Sequence, residues 1–303
     1  MLSRLAPILL IFVAACSQPV SEPVSNSSAN NGQVEALRAD IKKIEPFFKP
    51  MGIPGRYDWL WDNKEGGQTF DEYIAGNPTV PTDERKVLYV QPIGKFNAQQ
   101  SQVIKTTSDY LEAFYGLPVK TLPLKAAPPK LKEPDQRMID YPQHRQVRSG
   151  YYLEKILPPL LPKDGAALIA FTNEDLYPDS SMFFVFGQAS LENRVGVWSL
   201  YRLDDQATYD TFLRRTMKIA AHETGHMFSF RHCTKYECVM SGTNHLGETD
   251  RRPIDACPEC MAKICWMNKE KPLDRYKRLV AFAKKYRMTD EAVDFEKKEK
   301  AVN

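Results

Sequence analysis

Histidine is scarce in this chain of 303 residues. There are five: His144, His222, His226, His232 and His245. Long apolar runs are nearly missing too. The one stretch of note, from Leu5 to Val13, is too short to span a bilayer as a mature helix. No sign of charge dominates, since 41 basic residues face 38 acidic ones for a net +3. That balance excludes a polyanion binder recognised by bulk charge and gives no reason to expect nucleic acid as a partner. No internal repeat is present, which excludes a solenoid. What remains is an ordinary composition, 43% hydrophobic and 26% charged, with ample residues for a sizeable core.

The scarce residues are unevenly placed. Four of the five histidines lie between positions 222 and 245, and five of the six cysteines (Cys233, Cys238, Cys257, Cys260 and Cys265) lie beside them. Such a gathering of ligand types points to metal before it points to core. The sixth, Cys16, stands at the other end. MLSRLAPILLIFVAACS has a basic residue, an apolar run and small residues before Cys16, which reads as a signal peptide over 1–15 with a lipobox-like end. Cleavage before Cys16 and lipidation of its sulfur would anchor the protein to a bacterial membrane after export. The outer membrane is favoured because Ser17 supplies no aspartate-type retention cue. Residues 16–33, rich in Ser, Asn and Pro, read as a flexible tether, and 34–303 as one domain.

Along that domain, helical spacing runs through Leu37, Ile41 and Ile44, then over 99–115, around 146–157, over 207–229 and over about 273–287, followed by a charged tail. Apolar runs predict strands at 86–94, 166–171, 182–189 and 195–203, while the Pro/Lys-rich stretch 121–135 reads as a surface loop. Strands alternating with helices, then a helical and loop-rich end, argue for an α/β or α+β class.

The chemistry concentrates in HETGHMFSFRHC, residues 222–233. Positions four apart share a helix face, so His222 and His226 can hold one ion. Zinc suits imidazole nitrogens and at catalytic sites keeps a position open for water, whose pKa it lowers. Glu223, beside the first histidine, is placed to act as general base. His232 reaches the same ion only if the helix stops near residue 229 and the chain turns back. In the pattern H-E-x-x-H-x-x-G-x-x-H that stop is a glycine; here it is Ser229. Met240, eight residues after His232, fits the methionine turn of such sites. Cys233-x4-Cys238 and Cys257-x2-Cys260 have the spacing of a closed four-thiolate zinc site, although an exported protein also offers the alternative of two disulfides.

HETGHMFSFRHC-TKYE-CVM followed by CPECMAK resembles the archaemetzincin family of zinc metallopeptidases, and the likeness extends over roughly residues 50–285 through QTFDEY, YVQPIG, TNEDLYP and FVFGQA. The resemblance implies a metzincin-like fold, with a mixed twisted sheet, a long active-site helix and a smaller C-terminal part. It implies two zinc ions per chain. His222, His226 and His232 would hold a catalytic one, with Glu223 as base, and Cys233, Cys238, Cys257 and Cys260 a structural one. Cys265 fits no ligand slot, Lys263 matches a lysine usual after the second cysteine pair, and His245 is either a donor behind a ligand or structural. Peptide hydrolysis by zinc-bound water, on small peptides in an aminopeptidase-like manner, is the implied activity, and 195–203 is the expected edge strand for substrate. The other reading is a zinc-stabilised peptide binder that has lost turnover. The expected partners are peptides and a membrane, the expected state a monomer.

Overall fold

The computed structural model describes residues 28–205 and 207–303. The signal segment and Cys16 lie outside the described residues. Among those described, no helix is long and apolar enough to cross a membrane.

Helix α1 (Ser28–Ile44) begins inside the stretch expected to be a tether, and buries Val34, Leu37 and Ile44 against the core. Two short helices, α2 (Trp59–Asp62) and α3 (Phe70–Ala75), follow. α3 starts at a capping box in which the Thr69 hydroxyl and the Glu72 side chain satisfy each other's backbone N–H. Strand β1 (Val87–Ile93) leads to α4 (Ala98–Tyr115), capped by Asn97 and ended by Gly116 in the left-handed region. Then come β2 (Val119–Thr121), β3 (Gln136–Asp140), β4 (Gln143–Arg148) and a single turn α5 (Ser149–Tyr151) that runs on as a π-turn over 152–156. The first three residues of the helix expected at 146–157 are therefore strand, because Gln146–Arg148 pair with Asp175–Tyr177. Strands β5 (Gly165–Thr172), β6 (Asp175–Tyr177), β7 (Gly187–Ser190) and β8 (Val195–Ser199) precede the long α6 (Tyr209–Met227). Helices α7 (Leu246–Arg251), α8 (Pro258–Asn268), α9 (Pro272–Lys285) and α10 (Thr289–Val302) complete the chain.

The main sheet has the order β2-β1-β5-β8-β7, parallel except for β7. β5 and β8 are buried along their whole length, as strands covered on both faces must be. Alternation along β5 sends Ile169 and Phe171 to the core shared with α4 and α6, and Leu168 and Ala170 to a second core with Val147, Tyr152 and Leu176. The mixed α/β class holds.

Three expectations are corrected. The segment 195–203 is not the edge strand: β8 pairs with β5 on one side and β7 on the other, so the edge is β7. The run 182–189 is strand only from Gly187, because its aromatic first half turns away to wall a cavity. The charged tail is helix α10, whose Ala292, Phe295 and Val302 are buried and which packs along α9. Its polar outer face hid that stripe.

Candidate metal centre and active site

Helix α6 sets the site. Thr208 caps its N-terminus, and Phe212, Leu213, Met217, Ala220 and Ala221 bury one face, with the Trp198 indole donating to the Ile219 carbonyl at 3.0 Å. The helix ends as a Schellman motif. Phe230 N–H donates to Gly225 C=O at 3.0 Å and Ser229 N–H to His226 C=O at 2.9 Å, with Ser229 at φ +65°. A non-glycine residue there costs on the order of 1 kcal/mol. Two upstream contacts offset it. The Thr79 N–H donates to Ser229 Oγ at 3.0 Å, a bond glycine could not make, and Gln68 Nε2 donates to the Ser229 carbonyl at 3.4 Å.

The turn brings the three histidines together, with candidate ligand atoms all within 4.8 Å of one another. Each ring is fixed through Nδ1. His222 meets the Val239 carbonyl at 2.9 Å, His226 the Phe230 carbonyl at 2.7 Å, and His232 the Glu65 carboxylate at 2.9 and 3.1 Å. These partners only accept, so each Nδ1 carries the proton and each Nε2 presents a lone pair. Burial pushes His222 and His232 down, which favours neutral rings. The Nε2 atoms of His222 and His226 stand 3.0 Å apart. Nitrogens bound to one tetrahedral zinc at about 2.0–2.1 Å lie roughly 3.3 Å apart, so this donor set fits such an ion.

Glu223 and the three histidines line a cavity of about 520 Å³ whose far wall includes Phe184, Val185 and Phe186. Burial raises the Glu223 carboxyl above the usual carboxylate range, so it holds a proton more readily than an exposed glutamate. Met240 lies beneath the helix. A Cβ at Gly225 would come within 2.6 Å of Met240 Sδ, which explains a glycine in the last turn of the helix despite a cost of up to about 1 kcal/mol.

The four cysteines form a separate cluster. Their sulfurs also lie within 4.8 Å of one another, with Cys233 and Cys257 Sγ at 3.5 Å, and all four are buried and unbonded. The Cys257 and Met240 N–H groups point at Cys238 Sγ, at 3.2 and 3.4 Å. Hydrogen bonds from the other three thiols pull Cys233 down, while burial pushes Cys238 and Cys257 up. Four crowded sulfurs of this kind ionise together only around a cation, and the set fits zinc. Cys265 is buried elsewhere, against Met261. A third group, Asp58, His245 and Glu248, is already satisfied by protein donors. Arg251 and the Gly55 N–H hold Asp58, and Arg252 with the Trp59 and Asn244 N–H groups hold Glu248. His245 is structural, since its Nδ1 caps α7.

Sequence reasoning missed the segment that embraces the site from upstream. Besides Glu65, Trp59 sets its ring edge against His232 at 5.1 Å between centroids, and Lys263 donates to the Gln68 carbonyl at 2.6 Å and to Gln68 Oε1 at 3.1 Å. Gln68 in turn holds the turn through Arg231 N–H and the Ser229 carbonyl. The lysine after the second cysteine pair thus ties the strap to α8. The likeness seen in QTFDEY was the available signal.

Comparison with known proteins matches residues 162–265 to the family described as Peptidase family M54. The chain is 32% identical to Archaemetzincin-2 of Rattus norvegicus over 285 positions, covering 82% of this chain and 78% of that one. It is 28% identical to Archaemetzincin of Archaeoglobus fulgidus, covering 58% of this chain and 98% of that one. A crystal structure of archaemetzincin from Methanopyrus kandleri is similar at 27% identity and a TM-score of 0.49, covering 63% of this chain and 99% of that one.

Proposed function

The chain belongs to peptidase family M54, the archaemetzincins, and is a zinc metallopeptidase; from that premise we propose that it hydrolyses small peptides in the cavity beside α6, in an aminopeptidase-like manner. His222, His226 and His232 would hold the catalytic zinc, and Cys233, Cys238, Cys257 and Cys260 a second, structural zinc. The observation that carries the reading is the common orientation of the three rings, each with Nδ1 committed to an acceptor and Nε2 free to ligate.

When bound, the zinc polarises the scissile carbonyl and acidifies water. Glu223 does the proton work. Its carboxylate takes a proton from the attacking water and hands it to the leaving nitrogen, and its raised proton affinity suits that relay. The substrate backbone would lie along the outer side of β7 and the preceding 184–186 segment, the sheet edge that opens on the cavity. A non-hydrolytic peptide binder was the competing reading. Its motive was Ser229, and the hydrogen bonds to Thr79 and Gln68 remove that motive. Export and lipidation at Cys16 remain part of the proposal on the strength of the leader sequence. A Cys16→Ala protein is expected to leave the membrane fraction; finding it there unchanged would overturn the anchor.

The deciding experiment compares wild type with Glu223→Gln. The variant is expected to keep its zinc, measured by atomic emission, and lose peptide hydrolysis by at least about a hundredfold. Full activity in the variant would overturn the mechanism.

A further inference from the structure

Besides the histidines, two cations, Lys218 and Arg252, line the cavity. Lys218 lies four residues before His222, so it follows the same face of α6 about 6 Å further back. It is 7% exposed. Its Nζ donates only to backbone carbonyls, Thr249 at 2.9 Å and Asp250 at 3.1 Å, at the end of α7. Burial pulls the ammonium down to about 8, although the Asp250 and Glu291 charges oppose the shift. Arg252 lines the same cavity with its side chain 9% exposed. Its Nη2 meets Glu248 at 3.0 Å, and its Nε has no partner among the described residues.

The carboxylates nearest these cations, Glu248, Asp250 and Glu291, are each already engaged by an arginine: Arg252, Arg215 and Arg214. Glu248 already accepts from Arg252 and from the Trp59 and Asn244 N–H groups, and the Asp250 carboxylate is held by Arg215 at 2.8 and 2.7 Å. Phe184 and Phe186 supply apolar walls in the same cavity. Apolar walls suit an alkyl stem, and an ammonium bonded to carbonyls beside an arginine with an unused Nε suits an anionic head.

We infer that this part of the cavity, through Lys218 and Arg252, receives a substrate carboxylate borne by a residue that adjoins the scissile bond. The inference rests on the hydrolytic reading above and names its substrate class. The carboxylate has two sources, an Asp or Glu side chain or the free C-terminus of a short peptide.

The test uses the zinc-loaded protein and matched peptides with Glu or Gln at each position flanking the cut, each with a free or an amidated C-terminus. At one position kcat/KM is expected to be about tenfold or more higher for Glu than for Gln, or for the free over the amidated terminus, and the responding pair identifies the source. Lys218→Met should bring that ratio to within about twofold of one. If Lys218 only caps α7, the variant instead slows all peptides alike and keeps the ratio, which overturns its role. Arg252→Gln gives the same reading should Lys218→Met fail to fold. Equal rates for all pairs in wild type would overturn the inference while leaving peptidase activity standing. Should no peptide be cleaved, the hydrolytic reading fails, and calorimetric binding of the same pairs to Glu223→Gln still decides the pocket. Tighter binding of the carboxylate member supports it, and equal affinities overturn it.

Discussion

His232 and Cys233 are adjacent in the chain, yet they belong to clusters of opposite character. The histidine cluster faces a cavity, and its rings are steered by acceptors from three distant places: Val239 beneath the helix, Phe230 past its end and Glu65 in the upstream strap. The cysteine cluster is closed. Its four residues are between 0% and 5% exposed and sit inside the same core that α4, α6 and α9 share. One arrangement leaves room for a reacting molecule and sacrifices local burial. The other excludes solvent and ties the end of α6 to α8. A catalytic metal needs an open side and outer support, whereas a structural metal needs neither.

The largest effect that sharpens this contrast comes from the closed cluster. Cys257→Ser removes a candidate ligand from a buried set and leaves a polar hydroxyl among thiols. A loss on the order of 5 kcal/mol is expected, with Tm falling by roughly 10 °C or more, read by calorimetry. A variant as stable as wild type would break the comparison, because the cysteines would then not hold the fold. Glu223→Gln should behave in the opposite way, losing hydrolysis by at least about a hundredfold with Tm changed by no more than about 1 °C. Coincident loss of stability would mean that the open cluster is structural as well.

Glu65→Gln probes the outer support alone. The amide keeps the size but removes the charge facing His232 Nδ1, 2.9 Å away. Zinc at the histidines is expected to weaken by about 10–100-fold in a chelator competition, while the zinc proposed at the cysteines is expected to be unmoved. Equal weakening of both ions would show that the strap supports the whole domain rather than one ligand.

These differences track how far the site could be read from sequence. The grouping of the candidate ligands was legible because they sit on one helix, one turn and two short spacings, so a period of 3.6 residues and a chain reversal suffice to bring them together. Glu65 and Trp59 were not, since they lie more than 160 residues upstream of His232 and only tertiary packing brings them to it. Buried strands β1 and β5 matched their apolar runs almost residue for residue, as full burial on both faces dictates. The run FFVF misled for a related reason. Its apolar side chains serve a cavity wall rather than a sheet face, and composition does not distinguish the two. Which strand forms the edge was likewise invisible, because β7 is short and half-buried and declares its place only by pairing with β8.

The smallest expected effect lies at the junction of the two clusters. Ser229→Gly restores the residue the motif ordinarily carries and removes the left-handed penalty of about 1 kcal/mol. It also deletes the Oγ that accepts the Thr79 N–H at 3.0 Å, a bond worth about 0.5–1.5 kcal/mol, and a glycine adds entropy to the unfolded chain worth about 0.4–1 kcal/mol. The first term favours the variant and the other two oppose it, so stability is expected to change by less than about 1 kcal/mol, with kcat/KM within about threefold of wild type. Ser229→Ala separates the terms, since it keeps the penalty and loses the bond. It should therefore be less stable than wild type by the worth of that bond, about 0.5–1.5 kcal/mol, measured by denaturant unfolding. If alanine proves as stable as wild type, the serine is not held by the strap, and the turn that presents His232 owes its shape to Cys233 and the closed cluster behind it.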